Sequence, residues 1–131
     1  PRLWAITRDI RHAVRGGRIP RWAASLASLT ALTPLARMRE DGTMGVAGVL
    51  FARERAAEVF AKRVAGKLPA GSSWRVIVGH CDAAEEGQRL LAALKASVDI
   101  SESFLVETGA AIGAHAGRGA LIVAVQPAPT E

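Results

Sequence analysis

The stretch Gly113 to Leu121, GAHAGRGAL, sets one histidine, His115, among Gly113, Gly117, Gly119 and small alanines, immediately before a strongly apolar run. Glycine permits backbone conformations that Cβ-bearing residues avoid and lets a ligand approach the main chain, so this spacing predicts a turn built around something. A second cluster, His80-Cys81-Asp82, raises metal ligation or a nucleophile. Three adjacent residues on an extended strand end point in alternating directions, and no second cysteine completes a common zinc set, so no metal site is expected. Nothing in the sequence brings His115 or His12 to Cys81, and the plainer reading is a strand end feeding a helix cap. GAHAGRG does not open a long helix in G-x-G-x-x-G spacing, and no G-K-[ST] occurs, so the nucleotide fingerprints fail. Paired carboxylates are absent from the glycine-rich segments, against an acid-base hydrolase, and no catalytic residue is expected.

Arginines form the third grouping. Residues 1 to 39 hold eight of them against one acid, Asp9, while the rest of the chain is slightly acidic, so the net charge of +5 is a local patch. Such a patch attracts phosphate, a lipid carboxylate, nucleic acid or an acidic protein, or is simply a solvated surface. Arg8, Arg11, Arg15 and Arg18 recur at three- and four-residue spacing, which one helix would align as phosphate contact requires. The chain has no tyrosine and few aromatics, and its tryptophans sit in apolar contexts, so a nucleic-acid partner is the subordinate reading.

The elements that must position these residues alternate. RLWAIT (2–7) reads as a strand, followed by a helix through residues 8–17 that Gly16 and Gly17 end. Pro20 opens a second helix, residues 20–32, uncharged from Trp22 to Leu32 and so either core or a lid over an apolar cavity, with Thr33-Pro34 stopping it. Asp41-Gly42 between PLARMRE and TMGVAGVLFA predicts a hairpin. Residues 53–68 form an amphipathic helix with Ala57, Phe60, Ala61, Val64 and Leu68 on one face and Glu58 able to pair with Lys62. SWRVIVGH (73–80) reads as a strand buried on both faces. Asp82 and Glu85 form an acidic variant of the capping box, opening a helix through Leu90, Leu91, Leu94 and Val98. A strand at about 100–106 completes a β-α-β unit, and GALIVAVQP supplies a central strand. This order predicts an α/β, two-layer domain with a mixed β-sheet and packed helices, residues 1–126, and a tail at 127–131.

With 131 residues, half of them hydrophobic, the chain can bury a core without staples. A single cysteine excludes an intramolecular disulfide and fits a cytoplasmic setting. The start carries charges in every turn and reads as neither signal peptide nor membrane span. It lacks an initiator methionine, as a processed chain or a segment of a longer polypeptide would.

Two segments together resemble the DegV family. RHAVRGGRIPRWAASLASLTALTPL is similar to its helix, glycine-pair, Arg-Ile and apolar-helix passage, and ETGAAIGAHAGRGAL resembles its closing motif, usually G-x-x-I-G-x-H-x-G-P-G-A. The hairpin, the following helix and VIVGHCDAAEEGQRLLAAL occur between them in matching order.

The resemblance implies a fatty-acid-binding carrier without chemistry or cofactor of its own, presenting a long-chain fatty acid to a separate ATP-dependent fatty acid kinase. In that family the ligand lies between two α/β domains, and only the C-terminal one is matched, so an N-terminal DegV-like domain is an implied partner. His115 then corresponds to the histidine that hydrogen-bonds the carboxylate, which an imidazole can do as donor. Gly113, Gly117 and Gly119 hold its turn, Arg18 lies near the head group or the kinase-facing surface, and Leu26, Leu29, Leu32 and Ile112 wall the acyl chain. Two departures stand out: Ala116 replaces the family's usual threonine and Arg118 its proline. The alternative is a small-metabolite-binding or regulatory module related to dihydroxyacetone kinases.

Overall fold

The Asp41-Gly42 turn is closed by side chain and backbone together. Asp41 Oδ1 accepts from the Thr43 backbone N–H at 3.0 Å and from Thr43 Oγ1 at 2.6 Å, while Arg39 N–H donates to Thr43 O at 2.7 Å. These bonds, led by the Thr43 hydroxyl, hold the Asp41 carboxyl below its ordinary pKa. The turn joins β2 (Leu32–Met38) to β3 (Met44–Phe51) as an antiparallel hairpin with Met38 opposite Met44, as the sequence predicts. The computed structural model describes residues 2–7, 32–51, 54–109 and 117–129; the expected helices over 8–17 and most of 20–32 lie outside them.

One correction concerns where β2 begins. Leu32, expected as the last helical residue, is the first of the strand, and Thr33-Pro34 continues it. Proline is tolerated near a strand start and beside a bulge, and both conditions hold: a register irregularity follows at Leu35/Ala36.

Four more strands complete the sheet: β1 (Arg2–Ile6), β4 (Ser73–His80), β5 (Asp99–Glu107) and β6 (Leu121–Pro127). The order is β3-β2-β1-β6-β4-β5. Every neighbouring pair is antiparallel except β4–β5, whose parallel pairing needs a crossover. That crossover is helix α2 (Ala84–Ser97), and α1 (Ala56–Ala65) connects β3 to β4. β6 is central because its apolar run satisfies neighbours on both edges, and Ala128 N–H still bonds Ser73 O at 2.9 Å.

Strand alternation directs one face to the helices. Trp4, Ile6, Leu35, Val76, Val78, Leu121, Val123 and Val125 are buried there against Phe60, Ala61, Val64, Leu90 and Leu94. Each large side chain so buried contributes about 1.5–3 kcal/mol. Expected burial of β4 on both faces is corrected: Ile77 stays 45% exposed beside Phe104 at 48%, because both described helices pack on the opposite side. Glu58 pairs with Arg89 of α2, Nε to Oε1 at 2.9 Å, rather than with Lys62. Arg89 also donates to Glu54 O at 2.9 Å, so a single guanidinium joins the two helices.

Candidate ligand site

His80 ends β4 as a buried residue, 7% exposed. Its carbonyl accepts from Thr108 N–H at 2.8 Å and from Thr108 Oγ1 at 3.0 Å, which extends the β4–β5 pairing past Glu107. The imidazole faces two alternative partners: Ala83 N–H lies 3.1 Å from Nδ1, and Glu107 Oε2 lies 3.0 Å from the same atom. A lone pair on Nδ1 serves the first and a proton on it serves the second. The expected capping box is corrected here. Asp82 does not cap α2, whose N-cap is Ala83 with no side-chain cap bond; His80 Nδ1 takes the Ala83 N–H instead. Asp82 itself adopts φ +52°.

The glycine turn docks against this strand end. Gly119 N–H donates to Cys81 O at 2.7 Å, and Cys81 N–H donates to Ala120 O at 3.0 Å. Gly117 and Gly119 have φ of +81° and +87°, a left-handed conformation costly for any residue with a Cβ. Their presence is thus required by the turn, which leads directly into β6 at Leu121. Between them, Arg118 reaches back to Asp82, Nε to Oδ2 at 2.8 Å, and ties the turn to the β4–α2 connection. Glu107 Oε1 accepts the Asp82 N–H at 3.2 Å.

Register shows which connections share this end of the sheet. Leu121 pairs with both Ile6 and His80, and Ile6 pairs with Leu35. The flanks of residues 8–31, Thr7 and Leu32, therefore lie at the same end as Gly109 and Gly117, the flanks of residues 110–116. Of the expected site residues, Gly117 and Gly119 stand in the turn, and Leu32 opens β2 opposite Phe51. Arg18, Leu26, Leu29, Ile112, Gly113, His115 and Ala116 lie outside the described residues.

Sequence reasoning placed His80 at a strand end feeding a helix cap but did not bring Glu107 and Thr108 to it. Glu107 and Thr108 open the ETGAAIG segment, and their place beside His80 follows from the parallel β4–β5 register, which no local spacing encodes. Among the described residues no three His, Cys, Asp or Glu side chains group to hold a metal, and no described helix is long and apolar enough to cross a membrane. What the described residues offer at this end is a glycine turn at positive φ, bonded in both directions to the end of β4.

The family model for DegV ("Uncharacterised protein, DegV family") matches residues 2–128. The chain belongs to the DegV family. A DegV domain-containing protein of Streptococcus pyogenes serotype M1 is 30% identical over 125 residues, covering 91% of this chain and 42% of that protein. The chain thus spans less than half the length of the curated DegV relatives it matches. Among solved structures, a Thermotoga maritima protein whose structure reveals fatty acid binding function aligns with TM-score 0.77 at 20% identity, over 97% of this chain and 42% of that one. A fatty acid binding DegV family protein from Streptococcus agalactiae gives 0.76 at 23%, over 98% and 45%. The Streptococcus pneumoniae Fatty Acid Kinase (Fak) B3 protein loaded with linoleic acid gives 0.72 at 15%, over 96% and 44%. At these identities the structures establish the shared DegV fold of mixed sheet and packed helices.

Proposed function

We propose that this chain is the C-terminal half of a DegV-type fatty-acid carrier, the α/β unit of residues 1–126, which completes its site with an N-terminal DegV-like domain. The carrier is cytoplasmic, catalyses no reaction itself and presents a long-chain fatty acid to a separate ATP-dependent kinase subunit. His115 donates to the carboxylate, Arg18 adds positive charge near the head group, and Gly117 and Gly119 hold the close turn. Leu26, Leu29, Leu32 and Ile112 wall the acyl chain.

The observation that carries this reading is the turn of Gly117 and Gly119, both at positive φ and bonded to the end of β4, in a chain whose family model match runs from residue 2 to 128. Neutral donors around a carboxylate give charge-assisted hydrogen bonds without a metal. The Thermotoga, agalactiae and pneumoniae relatives, whose names state fatty-acid binding or a linoleic acid load, support the choice of ligand. Substituting His115→Ala in the full-length polypeptide tests the assignment. Affinity for oleic acid should fall by about tenfold or more, the worth of one charge-assisted bond; unchanged affinity would remove His115 from the site.

A further inference from the structure

The end of the sheet away from the glycine turn carries a cleft of about 490 Å³. That volume lies within the range of small-molecule sites. Its cations come from three elements: Arg37 from the end of β2, Arg39 from the hairpin, and Lys67 just past the C-terminal end of α1. Arg2 stitches the last of these in place, Nη1 donating to Lys67 O at 3.1 Å. Among the described residues none of the three cations is paired with a carboxylate. The single acid on the lining is Glu40, and nearby Asp41 is occupied by Thr43.

Register explains why the guanidinium groups converge. Trp4, Arg37 and Gly45 form one row across β1, β2 and β3, so their side-chain positions share a face. Gly45 lacks a side chain, and the Arg39 guanidinium lies over it, in the space a Cβ would occupy. Trp4, buried, lies in the same row, while Met38 and Val46 border the cleft one residue out of phase with it. Excess positive charge beside a buried indole defines an anion site. Forked donors at two guanidinium groups suit the several oxygens of a phosphoryl group better than a single carboxylate.

We infer that this cleft binds a phosphate monoester, through Arg37, Arg39 and Lys67. The phosphoryl group is bound by the arginine forks, with Lys67 adding a third positive charge. The same chemistry is presented by a soluble phosphoester and by a phosphomonoester lipid head group. The site is separate from the proposed fatty-acid site, because β2 ends and β3 begins here while β4 ends and β6 begins at the other end.

Two probes on the full-length polypeptide distinguish the sources: calorimetric titration with phenyl phosphate, and flotation with phosphatidylcholine vesicles with and without phosphatidic acid, each at low and raised salt. The Arg37→Gln/Arg39→Gln double variant is the control; both side chains are exposed, and an unchanged circular dichroism spectrum and unchanged oleic acid affinity verify the fold. Saturable binding of phenyl phosphate, weakened about tenfold or more in the double variant and by salt, supports the cleft with a soluble ligand. Binding to phosphatidic acid vesicles alone, with the same loss in the variant, supports it with a lipid source. Absence of binding to both probes, or equal binding by the variant, overturns the inference.

Discussion

Gly119 N–H donates to Cys81 O at 2.7 Å while Cys81 N–H donates to Ala120 O, so the glycine turn and the end of β4 are bonded in both directions. A Cβ at Gly119 or Gly117 must sit at φ above +80°. Each Gly→Ala change is expected to cost about 1–2 kcal/mol of stability, read by urea denaturation. Wild-type stability in both variants would show that the turn does not need its glycines.

Arg118→Ala removes the link to Asp82 across the surface of that turn. The pair is exposed on both sides, so global stability should change by less than about 1 kcal/mol. Local opening is the sensitive reading: amide exchange at Gly119 should quicken while exchange in α2 is unchanged. Equal quickening throughout would mean a global effect instead.

Phe60 is fully buried between α1 and the sheet. Phe60→Ala should destabilise the domain by about 3–5 kcal/mol, the transfer term plus the cavity left behind. A loss under about 1 kcal/mol, measured by chemical denaturation, would contradict the packing of α1 described above.

The pH dependence has a definite sign at Glu58. Its hydrogen bond with Arg89 holds the carboxyl below the ordinary glutamate value and raises the Arg89 guanidinium. A depressed folded pKa contributes stability that is present above the unfolded value and is lost as pH falls through the folded one. Glu58→Gln should therefore be less stable than wild type near neutrality, by up to about 1 kcal/mol, with the gap closing in acid. A gap independent of pH would assign the effect to something other than the ion pair.

Local signals carried most of the fold. Asp41-Gly42 marked its hairpin, the spacing of Phe60 and Val64 marked α1, and the apolar run from Leu121 marked the central strand. Failures came where a tertiary partner outbid a local one. Glu58 had Lys62 four residues away, yet Arg89 on α2 offers a fork that reaches Glu54 O as well. Asp82 looked like a cap, but the His80 ring takes the Ala83 N–H and Asp82 pairs with Arg118. Pro34 looked like a stop signal and instead sits beside a bulge. Of the site, the motif glycines were legible because positive φ leaves few substitutes, whereas Glu107 and Thr108 join His80 only through sheet register.

The most direct test of the carrier account is native mass spectrometry with lipid extraction on the longest natural polypeptide containing this chain, purified from its own cells. The account predicts a stoichiometric long-chain fatty acid that is depleted in the His115→Ala variant. A polypeptide free of fatty acid, and still free after incubation with oleic acid, would contradict it and turn attention to the small-metabolite reading of the same fold.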